Sequence, residues 1–231
     1  MPPLATLLTQ LGESDCEEIH EGLLKQPINA WTSLAFSVVG LLIALSAMKV
    51  TGPERTIRVT FGLLLVVTGI GSFLFHGPQP AASHFAHDIT FLAAVWFLAV
   101  MNLNEAYSWW PGTGWIAFAV GTGIMALLLV VFPDTTNILT GITLAALVVA
   151  DLAIQRRGGV IGGWYGVALG AMVVAVGLLV IGKSGSPLCD PAGAFQGHGG
   201  WHLFAAIALG AYFVATSRAR SEGRRHLPVA P

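Results

Sequence analysis

The stretch Gly197-His198-Gly199-Gly200-Trp201-His202, continued by the apolar run Leu203 to Ser217, decides how the rest of the chain is read. The run approaches the length of about 20 apolar residues that a helix needs to cross a bilayer. At its mouth two histidines stand four apart, a spacing that stacks both rings on one face of a helix. Imidazole is the commonest metal ligand among side chains. A histidine pair entering a membrane is costly to leave without a partner. The same few residues therefore predict both a membrane span and a metal site at its outer edge.

Working back from this segment, six more apolar runs appear. They cover residues 29–48, 58–76, 82–103, 114–132, 136–155 and 162–182, with the seventh at 200–217. The chain of 231 residues is 55% hydrophobic and only 10% charged, against about 25% charged for a soluble domain. The connections are short and marked by Gly or Pro. These features predict an all-α polytopic membrane protein, a seven-transmembrane-helix bundle forming a single domain over 1–231. Residues 1–27 form an outer segment, 28–218 carry the helices, and 219–231 form a tail. The 28 glycines suit close helix packing in lipid. A net charge of −1 offers no basic surface for nucleic acid. The start MPPLATLLTQLGESD lacks the basic residues and the long apolar core of a secretory signal.

Orientation follows from the basic residues of the loops. One side carries Lys49, Arg55, Arg58, Arg156, Arg157, Arg218, Arg220, Arg224 and Arg225; the other has only Lys25 and Lys183. The N-terminus is predicted outside and the C-terminus in the cytoplasm. Cys16 and Cys189 then share the outer side, where oxidising conditions favour a disulfide over two free thiols. The same topology gathers His76, His84, His87, His198 and His202 at one membrane depth. His20 and His226 lie in the tails.

Three of these imidazoles, His76, His198 and His202, form a candidate zinc set with one position left open, as in catalytic sites. The alternative is a histidine pair that caps a helix and meets interfacial water. Ser72 shares a helix face with His76 and is placed to donate to a developing oxyanion; alternatively it bonds back to a carbonyl one turn earlier. Asp88 is an acid inside an apolar run. It is a candidate general base and then general acid, or else a residue that orients a zinc histidine or pairs with His84. His84 and His87 are secondary candidates as ligands, and Asp151, near the inner end of its segment, reads as structural. The acidic run with Asp15, Glu17 and Glu18 offers oxygens to a hard cation such as calcium, or forms a solvated loop.

Together these residues resemble the alkaline ceramidase family, within a wider group of seven-helix membrane hydrolases that includes the adiponectin-receptor-like proteins. The resemblance rests on DCEE at 15–18, QPINAWTSLAF at 26–36, GSFLFH at 71–76 with Asp88 following, and LCDPAGAFQGHGGWH at 188–202. It implies that His76, His198 and His202 bind zinc, that Ser72 and Asp88 are catalytic, and that Cys16 joins Cys189. The family's fuller calcium set is matched here by Glu17, but Ser14, Ile19 and Gln26 stand near its other positions. The implied activity is zinc-dependent amide hydrolysis of a ceramide-like lipid, entering from the bilayer, to a sphingoid base and a fatty acid. The alternative is a lipid-sensing or scaffold protein whose structural zinc is closed by His84 or His87. A histidine–aspartate proton relay fits less well, because the histidines gather at one face. The alanine- and glycine-rich composition suggests a bacterial inner membrane; in a eukaryote the endoplasmic reticulum or Golgi is expected.

Overall fold

A computed structural model describes residues 15–157 and 162–225, with side chains described to residue 217. Residues 1–14 of the outer segment, the RRGGVIGG connection from Gly158 to Ile161, and His226 with the end of the tail lie outside the described residues. So do the side chains of Arg218, Arg220, Arg224 and Arg225 that entered the orientation argument.

Among the described residues seven helices are long and apolar enough to span a membrane. They are α1 (Pro27–Ser46), α2 (Pro53–His76), α3 (Ser83–Tyr107), α4 (Thr113–Val131), α5 (Thr136–Arg156), α6 (Gly163–Ile181) and α7 (Gly197–Arg225). There are no strands among the described residues beyond one isolated bridge, Asp15 to Lys183. The helix ends differ from those expected from hydropathy. Helix α2 begins five residues early, at Pro53, whose fixed φ suits a first turn. Glu54 and Arg58 then pair one turn apart at 3.1 Å. Helix α3 runs on through Asn104 and Glu105 to Tyr107. Hydropathy marks the part of a helix buried in hydrocarbon, whereas the hydrogen-bond ladder continues into the polar layer.

Helix α1 lies against α2 and α7, α3 against α2, α4 and α5, and α6 against α7. The α1–α2 contact is backbone to backbone. A Cβ on Gly40 would sit 2.8 Å from Val66 N, and one on Gly62 would sit 2.6 Å from Gly40 O. Only glycine permits that approach. The core below the site is aromatic: Phe61 stacks on Phe213 at 4.8 Å and on Phe97 at 6.1 Å. Helices α5 and α6 make few close backbone contacts with each other among the described residues.

The segment before α1 is tied to the loop between α6 and α7. Cys16 and Cys189 form a disulfide. Cys16 N donates to Gly182 O at 2.8 Å, and Glu18 N to Pro191 O at 3.0 Å. This outer segment serves two helix ends, each of which leaves unsatisfied backbone groups. Lys25 N donates to Gly77 O at 3.1 Å and Gln26 N to His76 O at 2.8 Å, closing α2. Glu17 accepts from Ile28 N and Asn29 N at 2.7 Å each, capping the start of α1.

Candidate metal centre

The end of α2 and the start of α7 meet on the side of the bundle that holds the disulfide. His76 is the last residue of α2, and His198 and His202 lie one turn apart in the first turns of α7. Their rings are 5.0 Å (His76–His198), 5.2 Å (His76–His202) and 4.6 Å (His198–His202) apart. Each offers one nitrogen, and these atoms all lie within 4.8 Å of one another. His76 and His202 are buried and His198 partly so.

Hydrogen bonding decides which nitrogen each ring presents. His76 Nδ1 is 2.7 Å from Gln26 Oε1, and the Gln26 amide nitrogen already donates to Glu17 O at 3.1 Å. A carboxamide oxygen only accepts, so Nδ1 carries the hydrogen and Nε2 is bare. His202 Nδ1 lies 3.2 Å from Thr32 Oγ1 and 3.4 Å from Ser33 Oγ. Both hydroxyl hydrogens are committed to α1 carbonyls, Ile28 O and Asn29 O, at 2.7 Å. His202 Nδ1 is therefore the donor, and again Nε2 is left. His198 Nδ1 lies 3.2 Å from Asp15 Oδ1, near enough for charge attraction but out of line for a hydrogen bond.

Those leftover atoms test whether a metal belongs here. His76 Nε2 and His198 Nε2 are buried with no partner. Unsatisfied buried nitrogens are rare, and each calls for an explanation such as an ion. Three nitrogens gathered within 4.8 Å, with the His76 and His202 rings each held from behind by an oxygen, match how zinc histidines are oriented. The donor set fits a divalent ion that accepts imidazole.

Beside the histidines lies a cavity of about 130 Å³, lined by Ser72, Asp88, Thr136, His198, Trp201 and His202, among others. Ser72 does not bond back along its own helix. Its hydroxyl is 2.7 Å from Ser33 Oγ and 3.5 Å from His202 Nε2. Because the Ser33 hydrogen goes to Asn29 O, Ser72 donates to Ser33. Asp88 is held by three groups: His87 Nδ1 at 2.8 Å on Oδ1, and Thr136 Oγ1 at 2.5 Å and His84 Nε2 at 3.3 Å on Oδ2. His84 and His87 also lie against the Phe75 ring, at 5.2 and 4.8 Å. They orient the carboxylate and stand outside the three-histidine group. A larger hollow of about 520 Å³ opens between α1, α6 and α7 at the opposite end, far from these residues.

The acidic run does not form a shared cation site. Glu17 spends both oxygens on the start of α1. Asp15 faces His198 and, at 3.9 Å, Lys183. Glu18 is exposed. Among the described residues the histidine trio is the one such group. Burial pushes the Glu17 carboxyl above its ordinary range, against the pull of the Asn29 and Ile28 amides.

Sequence reasoning passed over Gln26, Thr32, Ser33 and Thr136 as functional residues, and read Asp15 only as a cation ligand. Their one signal was position, in stretches just before or at the start of a span. A comparison with the known protein families finds no match for this chain, and no curated protein matches it.

Proposed function

We propose that this protein is a zinc-dependent intramembrane amidase that cleaves ceramide-like lipids to a sphingoid base and a fatty acid. The observation that carries the reading is the convergence of three imidazoles beside a cavity that also holds an acid and a hydroxyl. Three protein ligands leave a fourth position, the pattern of catalytic rather than structural zinc. Bound there, zinc would supply a water acidic enough to attack near neutral pH and would polarise the scissile carbonyl.

The chain's own residues supply the rest. Asp88, steadied on both oxygens, takes a proton from the attacking water and passes it to the departing amine as the C–N bond breaks. Ser72 Oγ turns from Ser33 to donate to the carbonyl oxygen as its charge grows. Phe91 and Trp201 line the same cavity and limit access of bulk water. The cavity reaches Thr136 and Thr140 on α5 and Leu179 on α6. These helices make few close backbone contacts with each other, and the proposed sideways route for acyl chains from the bilayer runs between them. The four stretches resembling alkaline ceramidases supply the substrate class, and the composition suggests a bacterial inner membrane.

The scaffold reading needs a fourth protein ligand. His84 and His87, the candidates for it, are engaged by Asp88, so the amidase reading is preferred. The test is metal analysis of the purified protein with a panel of lipid amides. Zinc near one equivalent, fatty-acid release blocked by a chelator, and loss of both in H198A and H202A are expected. Full turnover by zinc-free H202A would overturn the reading.

A further inference from the structure

We propose that the hollow between α1, α6 and α7, at the end of the bundle away from the disulfide, is a site for an anionic glycerophospholipid of the adjoining leaflet, with its phosphate on Arg58 and one acyl chain along α7. The site is separate from the histidine cavity, and the inference does not depend on the amidase reading.

Helices α1 and α6 both pack on α7 yet make few close backbone contacts with each other among the described residues. Between them lies the hollow of about 520 Å³, lined by Ile207, Gly210 and Val214 of α7, Leu42 and Ile43 of α1, and Trp164 of α6. That volume falls in the range of about 300–1,000 Å³ typical of ligand pockets. Leu42, Trp164 and Ile207 are exposed, so the hollow opens on the flank of the bundle. Its lining runs along α7 from Ile207 to Ser217, about 15 Å at about 1.5 Å per residue. One leaflet supplies half of a hydrocarbon core of about 30 Å. The groove therefore matches the depth of a single leaflet.

Chemistry at one end of the lining selects the headgroup. Arg58 of α2 borders the hollow there, with Ser46 and Ser217. Its Nε donates to Glu54 Oε1 and its Nη1 to Ser46 Oγ, at 3.1 Å each, while the Ser46 hydroxyl donates to Ile43 O at 2.6 Å. These contacts hold the guanidinium by two of the five N–H donors such a group carries. The other donors suit phosphate oxygens. Between Ser46 and Arg58 the chain carries Lys49, Arg55 and Arg58 against the single acid Glu54, and Lys49 and Arg55 are exposed. The corner is net positive, and basic pockets beside spanning helices draw anionic lipids. Trp164 stands where interfacial tryptophans meet headgroups. A lipid seated there bridges α1 and α7, whose far ends hold Thr32 and Ser33 against His202.

The experiment offers the full-length protein, purified in detergent, an equimolar mixture of phosphatidylglycerol, phosphatidylcholine and free fatty acid of matched chain length. Retained species are read by native mass spectrometry. Wild type is expected to keep one phosphatidylglycerol per chain, about tenfold over phosphatidylcholine, the scale set by two basic residues near a headgroup. Two variants attack the halves of the site separately. V214W fills the groove, and R58Q/E54Q removes the charge pair together, so that no buried carboxylate is stranded. Each should lower phosphatidylglycerol retention about tenfold, in R58Q/E54Q through loss of a charged hydrogen bond. Added phosphatidylglycerol should raise the unfolding temperature of wild type and not of either variant. If one variant does not fold, the other carries the test. Equal retention of the two phospholipids by wild type, a preference for fatty acid, a dimer that excludes lipid, or unchanged retention in a folded variant overturns the site.

Discussion

Gln26 Oε1 and His76 Nδ1 lie 2.7 Å apart although fifty positions separate them. The contact arises because the backbone of the same outer segment closes the end of α2, with Gln26 N on His76 O. One residue thus completes a helix terminus with its main chain and sets a ring tautomer with its side chain. Q26L should lower zinc affinity about tenfold to a hundredfold, read by competition with a chelator. An unchanged affinity would mean that the His76 ring holds its orientation without this bond.

Thr136 should matter through Asp88. T136V keeps the shape and removes the hydroxyl that donates to Asp88 Oδ2. A fall of about tenfold in kcat, with KM unchanged, is expected from the loss of one such bond. D88N should lose about a hundredfold or more. If T136V raises KM alone, Thr136 contacts substrate rather than positioning the acid.

The Cys16–Cys189 bridge joins residues 173 apart in sequence. Removing a bridge of this kind costs about 2–5 kcal/mol. The double variant C16S/C189S should unfold at lower temperature in detergent and ignore added reductant, whereas wild type should shift toward it when reduced. Zinc retention should fall in parallel, because Asp15, which faces His198, is the neighbour of Cys16.

Glu17 gives a pH signature outside the membrane spans. Its carboxyl sits above the ordinary range because burial outweighs the two amide donors. The folded state therefore binds its proton more tightly than the unfolded chain does. Stability from this group is greatest below the ordinary carboxylate range and declines as pH rises through the raised value. Thermal unfolding of wild type should weaken across that window relative to E17Q, in which the slope is absent. Parallel curves for the two proteins would remove Glu17 as the source.

The spans and the His198–His202 pair were legible in the sequence because each depends on local spacing, and the order of the spans then brought His76 to the same depth. A run of apolar residues marks a span wherever it packs, and His198 and His202 share a face on any helix. Ser72 and His76 share theirs for the same reason. Gln26, Asp15 and Thr136 were not legible as site residues, because their partners come from elsewhere in the chain. Nothing local distinguishes a polar residue before a span that orients a histidine from one that meets water. The acidic run misled for a related reason. Three carboxylates in sequence look like one cation site, but the amides of α1 claimed Glu17 and His198 drew Asp15.

The arrangement of the trio also constrains how the molecule is made. One ligand closes the second span while the other two open the last, so no shorter nascent chain holds a complete set. An ion held by all three would enter only after the chain has been made through His202. With the orientation that the Lys and Arg distribution predicts, such an ion would arrive from the outer compartment. Supply there, rather than the cytosolic pool, would govern how much of the protein matures.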